Sequence, residues 1–252
     1  MKIVVCVKQV PDTAAKVVAV DGKVNWGDAP LVINPWDEYA VETALQLGDD
    51  VTALTMAEEG PNEALKHALA MGCSEAVLVS IPGLPDADTQ VAAHTLAAAV
   101  RKIGGVDLVL FGRQAVDGDS GITAAQTARV LGWPVLSLCA AVNVDGETLK
   151  VERSIEEGRQ MVEGGLPAVV SVVKDIGEPR YPSFMGIRKA ARAEIPTWTA
   201  ADLGTEVPEP AVSFPDIKNP PAREVVCEMI DEGSPQATAA KLADRILEEK
   251  VI

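Results

Sequence analysis

The chain is poor in the side chains from which most active sites are built. It has two histidines, His67 and His94, both set in Ala/Leu-rich stretches of helical character. That leaves no basis for a His-based metal site or a Ser-His-Asp triad. Its four cysteines, Cys6, Cys73, Cys139 and Cys227, are far apart with no C-x-x-C pair. Each reads as a small core residue rather than a ligand or redox group. Basic residues are outnumbered, 22 Lys and Arg against 37 Asp and Glu, for a net charge of −15. A field of that sign repels nucleic acid and anionic membranes. No stretch approaches the roughly 18 uninterrupted apolar residues that span a bilayer. Residues 2–7 run straight into Lys8 rather than forming a signal-peptide core. A soluble cytoplasmic protein, with no membrane insertion, is expected. Glycine signatures are missing as well. The stretch after the first apolar run, Lys8-Gln9-Val10-Pro11-Asp12, has no glycine, and no G-x-x-x-x-G-K-[ST] loop occurs. Both facts weigh against a dinucleotide-binding dehydrogenase and a P-loop ATPase.

What is present is apolar and aliphatic: 48% hydrophobic residues with only 4% aromatic, dominated by Val, Ala and Leu. Strands buried on both faces under Ala-rich helices have that composition. Strand-like runs at Lys2–Val7, Val51–Met56, Ala76–Ser80 and Val106–Phe111 alternate with helical patterns at Asp37–Leu47, Asn62–Met71, Thr89–Ile103 and Gly121–Leu131. Such alternation predicts βαβ crossovers and an α/β, mostly parallel, doubly wound sheet. Val17–Val24 predicts a hairpin turning at Asp21-Gly22. After Pro134, Leu136–Val142, Thr148–Val151 and Met161–Val162 are separated by short polar turns, which predicts a small antiparallel meander before Ala168–Val173 rejoins the sheet. From Lys174 to about Gln236 the chain is rich in proline and charge and predicts an extended C-terminal arm, closed by an amphipathic helix over Ala237–Glu249. We divide the chain into an α/β domain, 1–175, and a loop with its C-terminal arm, 176–252.

The loop after the fourth long strand, Gly112 to Thr123 (GRQAVDGDSGIT), leaves the carboxyl end of a buried strand and enters a helix. Ligands of open α/β sheets bind at that edge. Gly118 and Gly121 permit backbone that presents N–H groups to an anion, Asp119 or Ser120 can cap the helix, and Ser120 and Thr123 can donate hydroxyls to a phosphate. An ordinary capped turn has the same composition. Asn34-Pro35-Trp36-Asp37 reads either as an N-cap by Asn34 or Asp37 or as a segment flanking an adenine. Lys8 reads either as a solvated charge or as a phosphate partner. The basic group Arg180, Arg188, Lys189 and Arg192 surrounds Tyr181, Phe184, Met185 and Ile187. It is either a docking element or a charged loop with its apolar residues tucked inward.

With these segments in hand, the sequence resembles the electron transfer flavoprotein beta subunit over nearly its whole length. The resemblance rests on MKIVVCVKQVPDTA at the start, NPWDEYAVETAL from Asn34, ALAMG from Ala68, GRQAVDGD from Gly112, and above all VERSIEEGRQMVEGGLPAVVSV from Val151. It implies a Rossmann-like, adenine-nucleotide α-hydrolase-like fold and a heterodimer with an alpha subunit that holds most of an FAD. For the two parts of the chain it implies nucleotide binding by 1–175 and partner recognition by 176–252. On this chain it implies an AMP or, in the electron-bifurcating branch, a second FAD that oxidises NADH. The family's nucleotide positions fall on Cys6, on Asn34, Pro35, Trp36 and Asp37, on Met56, and on Ala115, Val116, Asp117, Gly118, Asp119, Ser120, Gly121, Ile122 and Thr123. Its recognition loop falls on Glu178–Arg192, with Phe184, Met185 and Arg188 in the docking positions. Phe184 stands there in place of the more usual Leu. Implied clients are acyl-CoA dehydrogenase-like or other flavoproteins and a quinone oxidoreductase. The role is an electron carrier with no catalytic residue and no metal. Lys8–Asp12, Asn34–Asp37 and Asp117–Asp119 look like the bifurcating branch, whereas Ser120–Ala125 is more similar to simple shuttles. AMP is the first expectation.

Overall fold

The long apolar runs become strands buried on both faces, because only aliphatic residues at every position fit between two helical layers. A computed structural model of the chain describes residues 1–84, 87–214, 216–222 and 227–250. In chain order the elements are β1 (Lys2–Cys6), β2 (Gln9–Pro11), β3 (Val18–Val20), β4 (Lys23–Asn25), β5 (Leu31–Ile33), α1 (Pro35–Leu47), β6 (Asp50–Met56), α2 (Glu63–Met71), β7 (Glu75–Val79), α3 (Thr89–Ile103) and β8 (Leu108–Gly112). They continue with α4 (Thr123–Leu131), β9 (Val135–Asp145), β10 (Thr148–Ile155), β11 (Gly158–Gly165), β12 (Ala168–Val172), α5 (Phe184–Ala190), β13 (Thr197–Trp198), α6 (Ala200–Leu203) and α7 (Pro235–Glu248).

Nine strands form one sheet in the order β11-β10-β9-β12-β8-β1-β6-β7-β13. Every pairing is parallel except the β9-β10-β11 meander at one edge. Alternate residues of β1 serve opposite layers. Ile3 and Val5 join Val41 of α1 and Leu65 of α2, while Val4 and Cys6 join Val91 of α3 and Ala128 of α4. The chain runs outward from β1 through β6 to β7, then crosses back to β8 on the other side of β1. That reversal puts the topological switch point between the carboxyl ends of β1 and β8, where such sheets take ligands. The α/β doubly wound class expected from sequence is the one observed.

Several elements depart from the sequence pattern. The meander strands are longer than expected, since β11 (GRQMVEGG) is exposed almost throughout and shows no alternation beyond Met161–Val162. The β9 strand begins parallel to β12, then turns antiparallel to β10 past Leu138, which sits at φ 60°. Within the expected arm, α5, β13 and α6 form, and β13 adds a parallel edge strand through Thr197↔Leu78 and Trp198↔Val79. Cys6, Cys73 and Cys139 are buried as expected, but Cys227 is exposed.

Two compact units result, Met1–Ile217 and Lys218–Ile252. The second contains α7, whose cap is Ser234, accepting from the Ala237 N–H at 3.3 Å. No residue of α7 is buried, and Leu242 and Leu247 are exposed. A unit with so little interior explains the exposed Cys227. Residues 215, 223–226 and 251–252 of the arm lie outside the described residues. Among the described residues no helix is long and apolar enough to cross a membrane, and no group of His, Cys, Asp and Glu could hold a metal ion.

Candidate functional site

Three segments converge at the switch point. Leaving β1, the chain forms the antiparallel pair β2–β5 (Gln9↔Ile33, Pro11↔Leu31), which returns it to its starting edge. The Asn34 N–H then donates to the Lys8 carbonyl at 2.8 Å, and α1 begins with Pro35 in its first turn. Proline suits that position because its fixed φ is helical and its missing N–H would have had no partner. Asn34 occupies the N-cap position, but its side chain makes no capping hydrogen bond. Buried to 1% exposure, it reaches across instead to the loop after β8. Its Nδ2 donates to the Gln114 carbonyl at 2.8 Å, and its Oδ1 accepts from the Val116 N–H at 3.2 Å. Of the two readings open for this segment, capping by the Asn34 side chain is not what forms. An amide that both donates and accepts can satisfy a loop backbone on both counts, which a cap would leave half used.

Asp37 is the second brace. At 6% exposure its carboxylate accepts from the Lys8 N–H at 2.7 Å, and the Gly112 N–H and the Asn34 side chain also bond to it. It too faces away from its own helix end. Gly112 is the seat of this contact, a role that the sequence reading assigned to no residue. A Cβ there would lie 2.5 Å from Asp37 Oδ1 and 2.6 Å from the Trp36 carbonyl carbon and oxygen, so only glycine fits. A glycine closing an otherwise continuous apolar strand was the available signal.

Burial pushes the Asp37 carboxyl up to about 7, against the lowering effects of Asn34, the Lys8 and Gly112 N–H groups and the Lys8 charge. A carboxyl raised in the fold favours folding while it stays protonated, so its contribution is complete below the unfolded value. It is lost as pH climbs from about 4 through about 7. Over that window the loss is roughly 4 kcal/mol. Asp37→Asn, which cannot ionise, is expected to be less stable than the native chain at pH 5, because its amide N–H₂ opposes an N–H donor. The deficit should shrink markedly by pH 8. Urea midpoints across that range test this, and a pH-independent difference would show that Asp37 is not held protonated.

The loop itself is self-bonded. Ala115 O accepts from the N–H groups of Asp119 at 2.8 Å and Gly118 at 3.3 Å, and the Gln114 amide donates to Asp119 Oδ1. Asp119 and Gly121 take positive φ, 52° and 64°. Lys8 Nζ pairs with Asp117 at 2.7 Å, which ties the β1 end to the loop; both groups are partly solvated, so the pair contributes little stability. Arg113 lies over the half-buried Trp36 ring at 5.7 Å. Asp119 and Ser120 could each have capped α4, and neither does. The N-cap position belongs to the exposed Ile122, which has no capping side chain, because Asp119 is already bonded to Gln114. Among the described residues no side chain caps the N-terminus of α4, which lies beside Ser120 and Gly121, both exposed, and Thr123, which is half-buried.

Cys6 and Met56 end β1 and β6 on the α3/α4 face. Burial, with Asp37's charge second, drives the Cys6 thiol well up, so it is a neutral apolar filler rather than a nucleophile. Cys6, Asn34–Asp37, Met56 and residues 115–123 thus all border one sheet edge. A cavity of about 570 Å³ lies at the opposite edge, lined by Lys2, Thr52, Glu75, Lys102 and Trp198. There the Lys102 ammonium already sits on Trp198 and donates to the Asp202 carbonyl. The switch-point edge differs from that cavity in carrying the start of a helix, α4, that has no capping side chain.

Phe184, Met185 and Arg188 belong to a separate feature. Their helix, α5, is capped by Ser183, which accepts from the Gly186 N–H at 2.9 Å. Its small residues face inward: Ala190 is buried, and a Cβ on Gly186 would lie 2.3 Å from the Ala70 carbonyl of α2. Its large residues face outward, with Phe184 75% exposed and Met185 and Ile187 exposed beside Arg188 and Lys189, and Tyr181 just before the helix is exposed as well. The tucked-inward alternative is not what forms.

Comparison with known proteins bears on both features. Residues 23–203 match the electron transfer flavoprotein domain. The chain is 40% identical over 211 residues to an electron transfer flavoprotein subunit beta of Clostridium acetobutylicum, covering 82% of this chain and 81% of that one. It is 34% identical to the subunit beta of Megasphaera elsdenii with both chains covered in full. It is 38% identical over 210 residues to the caffeyl-CoA reductase-Etf complex subunit CarD of Acetobacterium woodii, covering 81% of this chain and 80% of that one.

Proposed function

The chain belongs to the electron transfer flavoprotein beta-subunit family, and we propose that it binds one AMP at the switch-point edge while bracing an FAD-carrying alpha subunit. The single observation that carries the reading is the uncapped N-terminus of α4 opening on a loop that two buried side chains, Asn34 and Asp37, hold in place. Helix N–H groups without partners at such an edge suit a phosphate. Of the two nearby carboxylates, Asp117 has its charge offset by Lys8, and Asp119 is turned to the Gln114 amide. Residues 118–123 would hold the phosphate, and Asn34–Asp37, Cys6 and Met56 would border the nucleoside. AMP brings no redox chemistry; its phosphate and base fill and tie together loops that otherwise end in open donors.

In this reading no group of the chain transfers a proton or forms a bond to substrate. The cytoplasmic heterodimer carries electrons from client dehydrogenases, such as acyl-CoA dehydrogenase-like flavoproteins, to an acceptor such as a quinone oxidoreductase. The outward face of α5, apolar at Phe184, Met185 and Ile187 and basic at Arg188 and Lys189, fits a client surface with an apolar pocket and an acidic rim. The arm ending in α7 offers its apolar residues to the alpha subunit. A second reading, an electron-bifurcating flavoprotein subunit with a second FAD in place of AMP, is favoured by the Lys8–Asp12 and Asp117–Asp119 segments. Nucleotide content of the purified heterodimer separates the two.

A further inference from the structure

A helix that turns its large apolar side chains outward receives little help from its own core, so something else must fix its direction. In α5 that help comes from two places. On the inner side, Gly186 lies against the Ala70 carbonyl so closely that no side chain fits, and Ala190 is buried. On the entering side, Arg180 is bound to one carboxylate of α1. Its backbone N–H donates to Glu42 Oε2 at 3.1 Å, its Nε donates to the same oxygen at 2.6 Å, and its Nη2 donates to Oε1 at 3.1 Å. Gln46 Nε2 adds a fourth bond to Oε1 at 2.9 Å. Glu42 is only 8% exposed.

Between Arg180 and the first exposed anchor, Phe184, stand Tyr181, Pro182 and Ser183. Proline fixes one φ and Ser183 caps the helix, so little torsional freedom separates the ion pair from the anchor. Burial alone would raise the Glu42 carboxyl, but the hydrogen bonds from Arg180 and Gln46 and the Arg180 charge outweigh it and hold the group below the usual carboxylate range. The pair is therefore ionised at neutral pH, and its fork geometry is one that a lysine could not reproduce.

We propose that Glu42 and Arg180 are positioning residues for docking: they fix the entry and direction of α5 so that Phe184, Met185 and Ile187 meet a client already aligned. The inference rests on the reading of α5 as the docking helix. A pre-aligned helix loses less freedom on binding, so the gain belongs in client affinity rather than in the electron-transfer step. The bond pattern also explains why a carboxylate is tolerated on the buried side of α1.

The test uses the complete heterodimer and a client dehydrogenase. Glu42→Gln keeps the shape and removes the charge. It is expected to raise the KM for the client about 3- to 10-fold, with kcat and the rate of FAD reduction by dithionite within error of native. Amide exchange should quicken across residues 178–190 and stay unchanged across β1 and β8. Arg180→Lys, which keeps the charge and loses the fork, should raise KM likewise, and being on the half-exposed side of the pair it serves if Glu42→Gln does not assemble. Phe184→Ala is the control that keeps the two ideas apart. If Phe184→Ala raises KM and both pair variants leave it native, the positioning role is overturned and the docking role stands. If none of the three changes KM, both fall. A rise in all three, with exchange quickened only around α5, is the supporting result.

Discussion

Phe184→Ala is expected to raise the client KM about 10- to 30-fold while FAD and AMP contents and thermal midpoint stay native. The size follows from the side chain's setting. Phe184 is 75% exposed at the first turn of α5, so removing it costs the free protein little. An aromatic anchor at the centre of a docking patch typically carries about 2 kcal/mol or more of binding, which is roughly that factor in affinity. Truncating Met185 or Ile187 should cost less, since each is unbranched or smaller than an aromatic ring. Steady-state electron transfer with varied client concentration reads the effect, and an unchanged KM would remove Phe184 from the docking role.

Gly112→Ala is expected to have the largest effect on the chain itself. The added methyl would sit 2.5 Å from Asp37 Oδ1 and 2.6 Å from the backbone carbonyl of Trp36, and a helix start cannot swing aside as a flexible side chain can. Either α1 or the end of β8 must shift, which breaks the Asp37 bonds to Lys8 and Gly112 and loosens the Asn34 brace on the loop. Overpacking of this kind costs about 3 kcal/mol, and the purified protein should lose its nucleotide. Gly118→Ala is the companion control. A Cβ there meets nothing within 4 Å, so its stability should remain within about 0.5 kcal/mol of native. Equal denaturation midpoints for the two variants would contradict the close approach at Gly112.

The frame of the sheet could be read from sequence because buried parallel strands leave a strong trace. Thr89–Ile103 was legible as a long Ala-rich helical pattern, and α3 occupies the same residues. The Asp21-Gly22 hairpin followed from the one turn chemistry that puts both central residues at positive φ. Other elements left no trace. Strand β13 has two residues and owes its place to Pro196 and Trp198 carbonyls accepting from Leu78 and Ser80. Helix α5 reverses the usual pattern, small residues in and large ones out, so its periodicity points the wrong way.

The site was half legible. That the loop after β8 meets the segment before α1 follows from the strand order, which sets β8 beside β1; the alternation of elements predicts only a parallel sheet with ligands at its carboxyl edge. That Asn34 and Asp37 face away from their own helix does not, because an Asn or Asp at a helix start ordinarily caps it. Their partners lie on other segments: Gln114 and Val116 with Asn34, Lys8 and Gly112 with Asp37. The Glu42–Arg180 pair, 138 residues apart in sequence, is a tertiary fact of the same kind.

The most direct test of the account is the nucleotide content of the heterodimer. The chain is purified with its alpha subunit, the complex is denatured, and the released FAD and AMP are quantified by chromatography. One FAD and one AMP per heterodimer is the predicted result. Two FAD without AMP would contradict the AMP reading in favour of a bifurcating subunit, and one FAD with no AMP would contradict the assignment of an adenine nucleotide to the edge between β1 and β8.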